Sequence, residues 1–192
     1  KPTIGVLTHM GLAHAEGFKG GMPEKITEKL HLFESVDTLI YGKDQIQGYN
    51  LEGDVSVFKR PVTFYSWSRL VPATLVVTSE INKGSFTEMT VSYGGQNYTI
   101  NIPFTDKASI DNAVLCMLTL LSLGKDFSYI KEGIRQLTAV DMRMQLKKGI
   151  NGCTFINDSY NLDFDSFVAA GFYLQAQAAG KESSIIVSDF AE

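Results

Sequence analysis

Apolar positions recur along this chain with two different periods, and the switches between them mark out its elements. Residues 3–8 form a short, continuous apolar run, as in a strand buried on both faces, and lead into a loop containing His9, Gly11, His14 and Gly17. Pro23 suits the first turn of a helix. Ile26, Leu30 and Phe33 then recur on one helical face before residues 37–41 read as the next strand, completing a βαβ unit. Between residues 54 and 104 the period falls to two, with β-rich stretches at 75–81, 88–93 and 98–102. Gly94-Gly95 separates the last two, a hairpin signal because both glycines accept positive φ, so an antiparallel appendage is expected. After Pro103 the helical period returns. Ile110, Val114, Met117, Leu118 and Leu121 form one stripe closed by Gly124, and a second helix carries Phe127, Ile130, Ile134 and Leu137.

Residues 138–148 are polar and irregular in pattern, which marks a domain junction near Val140, with residues 1–140 in one domain and 141–192 opening another. Beyond it the pattern predicts a strand at 152–158, a helix at 165–179 ended by Gly180, and a parallel strand at 184–187: a second βαβ, cut short. The chain enters a strand almost at its start and stops just after another, so excision from a longer protein is expected. No internal repeat or low-complexity segment stands out.

Composition narrows the function. With 192 residues and 44% hydrophobic content the chain can bury a core, and the class is α/β. A net charge of -4 without any run of Lys or Arg leaves no electrostatic footprint for nucleic acid or an anionic membrane, so a small-molecule partner is expected. Cys116 and Cys153 lie in apolar stretches and read as buried free thiols of a reducing compartment, which favours the cytoplasm. The longest apolar run, at 113–123, is too short to span a bilayer, and nothing resembles a signal peptide.

Candidate chemistry gathers in a few places. The loop at 8–18 brings His9, His14 and Glu16 to a strand's carboxyl end, where open α/β sheets place ligands; it reads either as a divalent-cation site or as a turn whose histidines bond to backbone. Lys29 neighbours the apolar face of Ile26, Leu30 and Phe33, and either snorkels to solvent or is held at a site as a reactive amine. Residues 156–161 (I-N-D-S-Y-N) end an apolar strand in a polar cluster. Asp158 there suits the vicinal hydroxyls of a ribose or, equally, an Asx turn. Arg143 suits phosphate or a solvated face, and Asn112 suits an adenine edge or a helix cap.

Taken in order, these segments resemble the Mur ligase family, whose members build the peptide of bacterial peptidoglycan. Residues 7–18 resemble the family's strand followed by N-I-x-x-A-H-x-E-x-F, residues 109–124 its H-N-x-x-N-A helix, and residues 142–161 its M-R-x-E and N-D-x-Y-N blocks. Tyr160 followed by Asn161 points within the family to ligases that add D-alanyl-D-alanine. Residues 66–74, 102–106 and 25–33 resemble a form in which that ligase is fused ahead of an alanine racemase, which would lie beyond Glu192. The resemblance implies a partial central ATPase domain followed by the start of a Rossmann-like carboxyl-terminal domain. It implies ATP and Mg2+ as cofactors, and UDP-N-acetylmuramoyl-tripeptide and D-alanyl-D-alanine as substrates. It also implies that His14 ligates magnesium and that Lys29 is carbamylated at the metal, a change that turns a repelled ammonium into an oxygen ligand. Asn112 would contact adenine, Arg143 the phosphates and Asp158 the ribose, with Tyr160 and Asn161 lining the cleft; His14, Lys29 and Arg143 form the implied catalytic set. The chain departs from the family pattern at Thr8-His9 (usually Thr-Asn), at Ala108-Ser109 (usually His-Asn) and at Gln145, near the M-R-x-E glutamate. It contains no G-x-x-G-K-S/T loop for the β- and γ-phosphates, which in the family lies upstream of the position of Lys1. Two rival readings stand beside this one: a non-catalytic nucleotide- or protein-binding module on the same scaffold, and a relative of folylpolyglutamate synthase, the latter disfavoured by Tyr160-Asn161.

Overall fold

The computed structural model describes residues 2–10, 19–46, 49–160 and 164–187, which fall into two compact units that meet in sequence between Leu137 and Thr138. The first unit is built on one six-stranded sheet in sequential order: β1 (Ile4–Leu7), β2 (Thr38–Gly42), β3 (Thr63–Ser68), β4 (Leu75–Asn82), β5 (Thr87–Tyr93) and β6 (Gln96–Ile102). β1 to β3 run parallel along their length, with Leu7 opposite Tyr41 and Tyr41 opposite Ser66. β4 begins where β3 ends, so the two share only the pairs Trp67 with Leu75 and Ser68 with Val76. That stagger explains how a six-residue connection joins parallel neighbours, since the chain need not travel back along a strand.

β4, β5 and β6 are antiparallel. The antiparallel part therefore extends the parallel sheet rather than standing apart from it. The β5–β6 turn places Gly94 at φ 57° and Gly95 at φ 78°, the left-handed pair that a two-residue hairpin needs.

Helix α1 (Met22–Leu30) opens on Pro23 and buries Ile26 and Leu30. Helix α2 (Lys107–Ser122) is capped by Asp106, whose carboxylate accepts the Ser109 N–H at 2.8 Å. Its predicted stripe is the one buried: Ile110, Val114, Met117, Leu118 and Leu121 pack on Trp67, Leu75, Met89, Val91, Ile100 and Ile102 of the sheet. Helix α3 (Phe127–Arg135), capped by Asp126, adds Ile130 and Ile134 to the same core. A second cluster joins Leu7, Ile26, Leu30, Leu39, Tyr41, Ile46 and Leu51.

The second unit is a hairpin and a helix. β7 (Gln145–Lys148) pairs antiparallel with β8 (Thr154–Asn157), and helix α4 (Phe164–Ala178) follows. Three expectations are corrected here. The polar segment at 138–148 contains β7, so the strand read at 152–158 is half of a hairpin and has no parallel partner among the described residues. Residues 184–187 do not form a strand, and Ile186 is 94% exposed. An apolar run becomes a strand only where a neighbour completes its ladder, and no described residue does so there. Both cysteines are exposed rather than buried: Cys116 lies off the buried stripe of α2 and Cys153 sits beside the hairpin turn. Among the described residues no helix is long and apolar enough to cross a membrane.

Candidate functional site

β1, β2 and β3 end at the same edge of the sheet, so the residues that follow them collect there. His9 follows β1 and is exposed, while His14, Glu16 and the rest of residues 11–18 lie outside the described residues. After β2 comes a 3₁₀ turn, Lys43–Ile46, and with it a polar cluster. The buried Tyr41 hydroxyl donates to Glu52 Oε1 at 2.8 Å, Lys43 Nζ meets the same oxygen at 3.1 Å, and Ser66 Oγ lies 3.5 Å from it. Burial alone would raise the Glu52 carboxyl. The hydrogen bonds from Tyr41 and Lys43 and the Lys43 charge outweigh it and hold Glu52 below the usual carboxylate range. Burial and the adjoining carboxylate push the Tyr41 hydroxyl well above its ordinary value. Tyr41, Lys43 and Glu52 of this cluster line a cavity of about 630 Å³.

Ser68 fastens the end of β3. Its hydroxyl donates to Asp44 Oδ1 and accepts the N–H groups of Leu70 and Val71, both at 2.9 Å, while Arg69 N–H donates to Asp44 Oδ2 at 2.8 Å. Gly42 lets the Trp67 indole pack closely at this corner: a Cβ there would meet the ring at 3.0 to 3.2 Å, so the ring would have to give by a few tenths of an ångström. The Arg69 guanidinium lies over the Trp67 ring and reaches Glu80 Oε2 and Asp111 Oδ1, each at 2.8 Å. Burial opposes its charge, yet Asp111 and Glu80 outweigh that and raise its pKa above that of an ordinary arginine. The pair ties β3 and β4 to the first turns of α2.

Of the residues singled out in this unit, Lys29 is exposed, and the lysine buried on α1 is Lys25, at 7% exposure. Asn112 is exposed on α2, and the cap that its type suggested is made by Asp106.

The second unit does bring predicted residues together. The Arg143 guanidinium stacks on the Tyr160 ring, 4.3 Å from its centroid. Asp158 Oδ1 accepts the Met144 N–H at 3.0 Å and Tyr160 N–H donates to the Met142 carbonyl at 3.2 Å. These bonds hold a turn in which Met142 and Met144, on either side of Arg143, both take positive φ, 59° and 46°. Left-handed backbone at two non-glycine residues costs free energy that the surroundings must offset, a pattern found at ligand sites. Arg143 and Tyr160 are exposed, so the guanidinium edge is open to an anion, and Asp158 Oδ2 accepts no hydrogen bond from a described residue. This donor and acceptor set fits a phosphorylated nucleoside. Asn161 lies outside the described residues. Among the described residues no group of three or more His, Cys, Asp or Glu stands where it could hold a metal, and His14, the implied magnesium ligand, lies outside them.

Sequence reading missed Glu52, Arg69 and Asp111. Nothing in the L-E-G-D stretch or in the connection after β3 announced them, because their partners are distant in sequence.

An open, mixed α/β sheet with its polar groups at the carboxyl ends of parallel strands is the architecture of nucleotide-handling domains. The model of the Mur ligase middle domain matches residues 1–120, and the chain belongs to that family. A search among curated protein sequences finds no match. Solved structures similar in fold include MurF from Acinetobacter baumannii, with TM-score 0.71 and 18% identity over 92% of this chain and 38% of that one. MurF from Thermotoga maritima in complex with ADP gives 0.69 and 16% over 91% and 39%. FPGS from L. casei gives 0.68 and 13% over 91% and 42%. The chain thus spans about two fifths of the length of these proteins.

Proposed function

We propose that this chain is the central part, with the start of the following domain, of an ATP-dependent amide ligase of peptidoglycan synthesis that adds D-alanyl-D-alanine to UDP-N-acetylmuramoyl-tripeptide. The observation that carries the reading is the Arg143–Tyr160–Asp158 group, an open guanidinium beside a free carboxylate oxygen at the end of β8. The family membership and the fold shared with MurF support it.

In this reading ATP supplies a phosphoryl group to the tripeptide carboxylate, giving an acyl phosphate and ADP. The dipeptide amine attacks the acyl carbon, the C–O bond to phosphate breaks, and the amine's proton leaves as the amide forms. Arg143 binds phosphate oxygens and offsets their charge, Tyr160 holds the guanidinium over its ring, and Asp158 Oδ2 accepts from a ribose hydroxyl. On the family resemblance Asn112 would meet the adenine edge, Asn161 would line the cleft, and His14 with a carbamylated Lys29 would hold a magnesium ion, whose charge would offset that of the phosphoryl oxygens. The domain boundary near Val140, a cytoplasmic location and a downstream racemase belong to the same proposal.

The test is phosphate release by the whole protein that carries this chain. Release that requires both UDP-N-acetylmuramoyl-tripeptide and D-alanyl-D-alanine supports the reading, whereas release with folate and glutamate favours the FPGS-like alternative that the fold also allows. The 192 residues alone, which contain no G-x-x-G-K-S/T loop, should not turn over ATP, and measurable turnover would count against the proposal.

A further inference from the structure

The cavity at the carboxyl ends of β2 and β3 is lined by Lys43 and Glu52 together with Ile46, Leu51 and Val71, and the proposed ligase chemistry gives it no role. Its volume of about 630 Å³ suits a small molecule. The charged pair is held from below: Tyr41 and Ser66, both buried, point their hydroxyls at Glu52 Oε1, which also takes the Lys43 ammonium. Three groups therefore converge on one carboxylate oxygen. Glu52 Oε2 has no partner among the described residues. Lys43 Nζ carries three donors and makes one contact among the described residues, so donors and an acceptor stand side by side, with Lys43 and Glu52 meeting at 3.1 Å. Asp44 does not compete, because both its oxygens are taken by Ser68 and Arg69.

A simple anion would be drawn to Lys43 and repelled by Glu52, and a simple cation the reverse. A ligand with both charges close together satisfies the pair at once. We propose that this cavity binds the zwitterion of an α-amino acid with an aliphatic side chain, its carboxylate on Lys43, its ammonium on Glu52 Oε2, and its side chain against Ile46, Leu51 and Val71. The two charges of such a ligand are separated by a single Cα, which matches a protein pair in direct contact. The site does not depend on the ligase reading, since none of its residues belongs to the proposed nucleotide group.

The experiment is an NMR titration of the intact 192-residue chain with leucine, with 4-methylpentanoate, which lacks the amine, and with 3-methylbutylamine, which lacks the carboxylate. Leucine should produce saturable shifts at Lys43, Leu51, Glu52 and Val71, and each truncated analogue should bind about tenfold or more weakly. In Glu52→Gln the preference for leucine over the carboxylate-only analogue should disappear, and in Lys43→Met the preference over the amine should. Arg143→Ala should leave leucine binding unchanged. The absence of saturable shifts at these residues, or equal binding of leucine and the truncated analogues, overturns the proposal. The analogue series uses the unaltered chain, so its outcome does not depend on how the variants fold.

Discussion

The two units of this chain obtain their order in different ways. In the first, helix α2 and the sheet bury the same stripe that the sequence pattern predicts, and large side chains such as Trp67, Met89 and Leu118 are fully enclosed. In the second, Ile150, Phe155, Phe164 and Phe172 are all exposed, and order rests on the β7–β8 ladder and on the bonds that tie residues 142–144 to the end of β8. Hydrophobic content alone does not decide burial; a facing element does. The unit with the looser apolar packing is also the one that presents the exposed Arg143 guanidinium.

Substitutions should separate the units sharply. Leu118→Ala removes a fully buried side chain and should cost about 2 to 5 kcal/mol in a urea titration, whereas Phe172→Ala should change stability by about 0.5 kcal/mol or less. Equal costs would mean that α4 packs as tightly as α2. Arg69→Met should cost about 2 kcal/mol by the same measurement, because it leaves Asp111, 7% exposed, with only Lys107 to neutralise it. A loss shared equally by Lys107→Met would show that the exposed lysine carries the pairing instead. Gly42→Ala should cost about 1 to 3 kcal/mol through the Trp67 ring, seen also as a shift in tryptophan fluorescence.

The smallest effect concerns pH. Glu52 titrates lower in the folded chain than its ordinary value of 4.5, so its contribution to stability is fully present above that value and is lost as pH falls through the depressed folded value. The midpoint of urea unfolding should therefore decline below about pH 4.5 more steeply in the unaltered chain than in Glu52→Gln. Identical slopes would mean that Glu52 contributes nothing to the acid limb of stability.

Much of the first unit was legible in the sequence because its elements follow one period each. The stripe from Ile110 to Leu121 and the Gly94-Gly95 turn are cases where local chemistry and tertiary packing agree. β3 was not singled out, since its inner half carries Ser66 and Ser68, buried polar residues whose partners Glu52, Asp44 and Thr74 come from other segments. β7 carries a single apolar residue, Leu146, itself exposed, and is a strand only through β8. Residues 184–187 show the converse, a strand-like composition without a ladder. The site divides in the same way. Asp158 and Tyr160 were legible in a polar cluster ending a strand, Arg143 only as an isolated arginine, and the structure brings the three together. On α1 the helical period identified the buried face and set Lys29 beside it, whereas Lys29 is exposed and the lysine buried there is Lys25.

The most direct test of the nucleotide reading is titration of the chain with ADP, read at the Arg143 side-chain Nε–H and the Tyr160 ring by NMR. Saturable shifts at both, lost in Arg143→Ala and retained in Glu52→Gln, are the predicted result. Shifts that spare Arg143 and Tyr160, or that persist unchanged in Arg143→Ala, would contradict it.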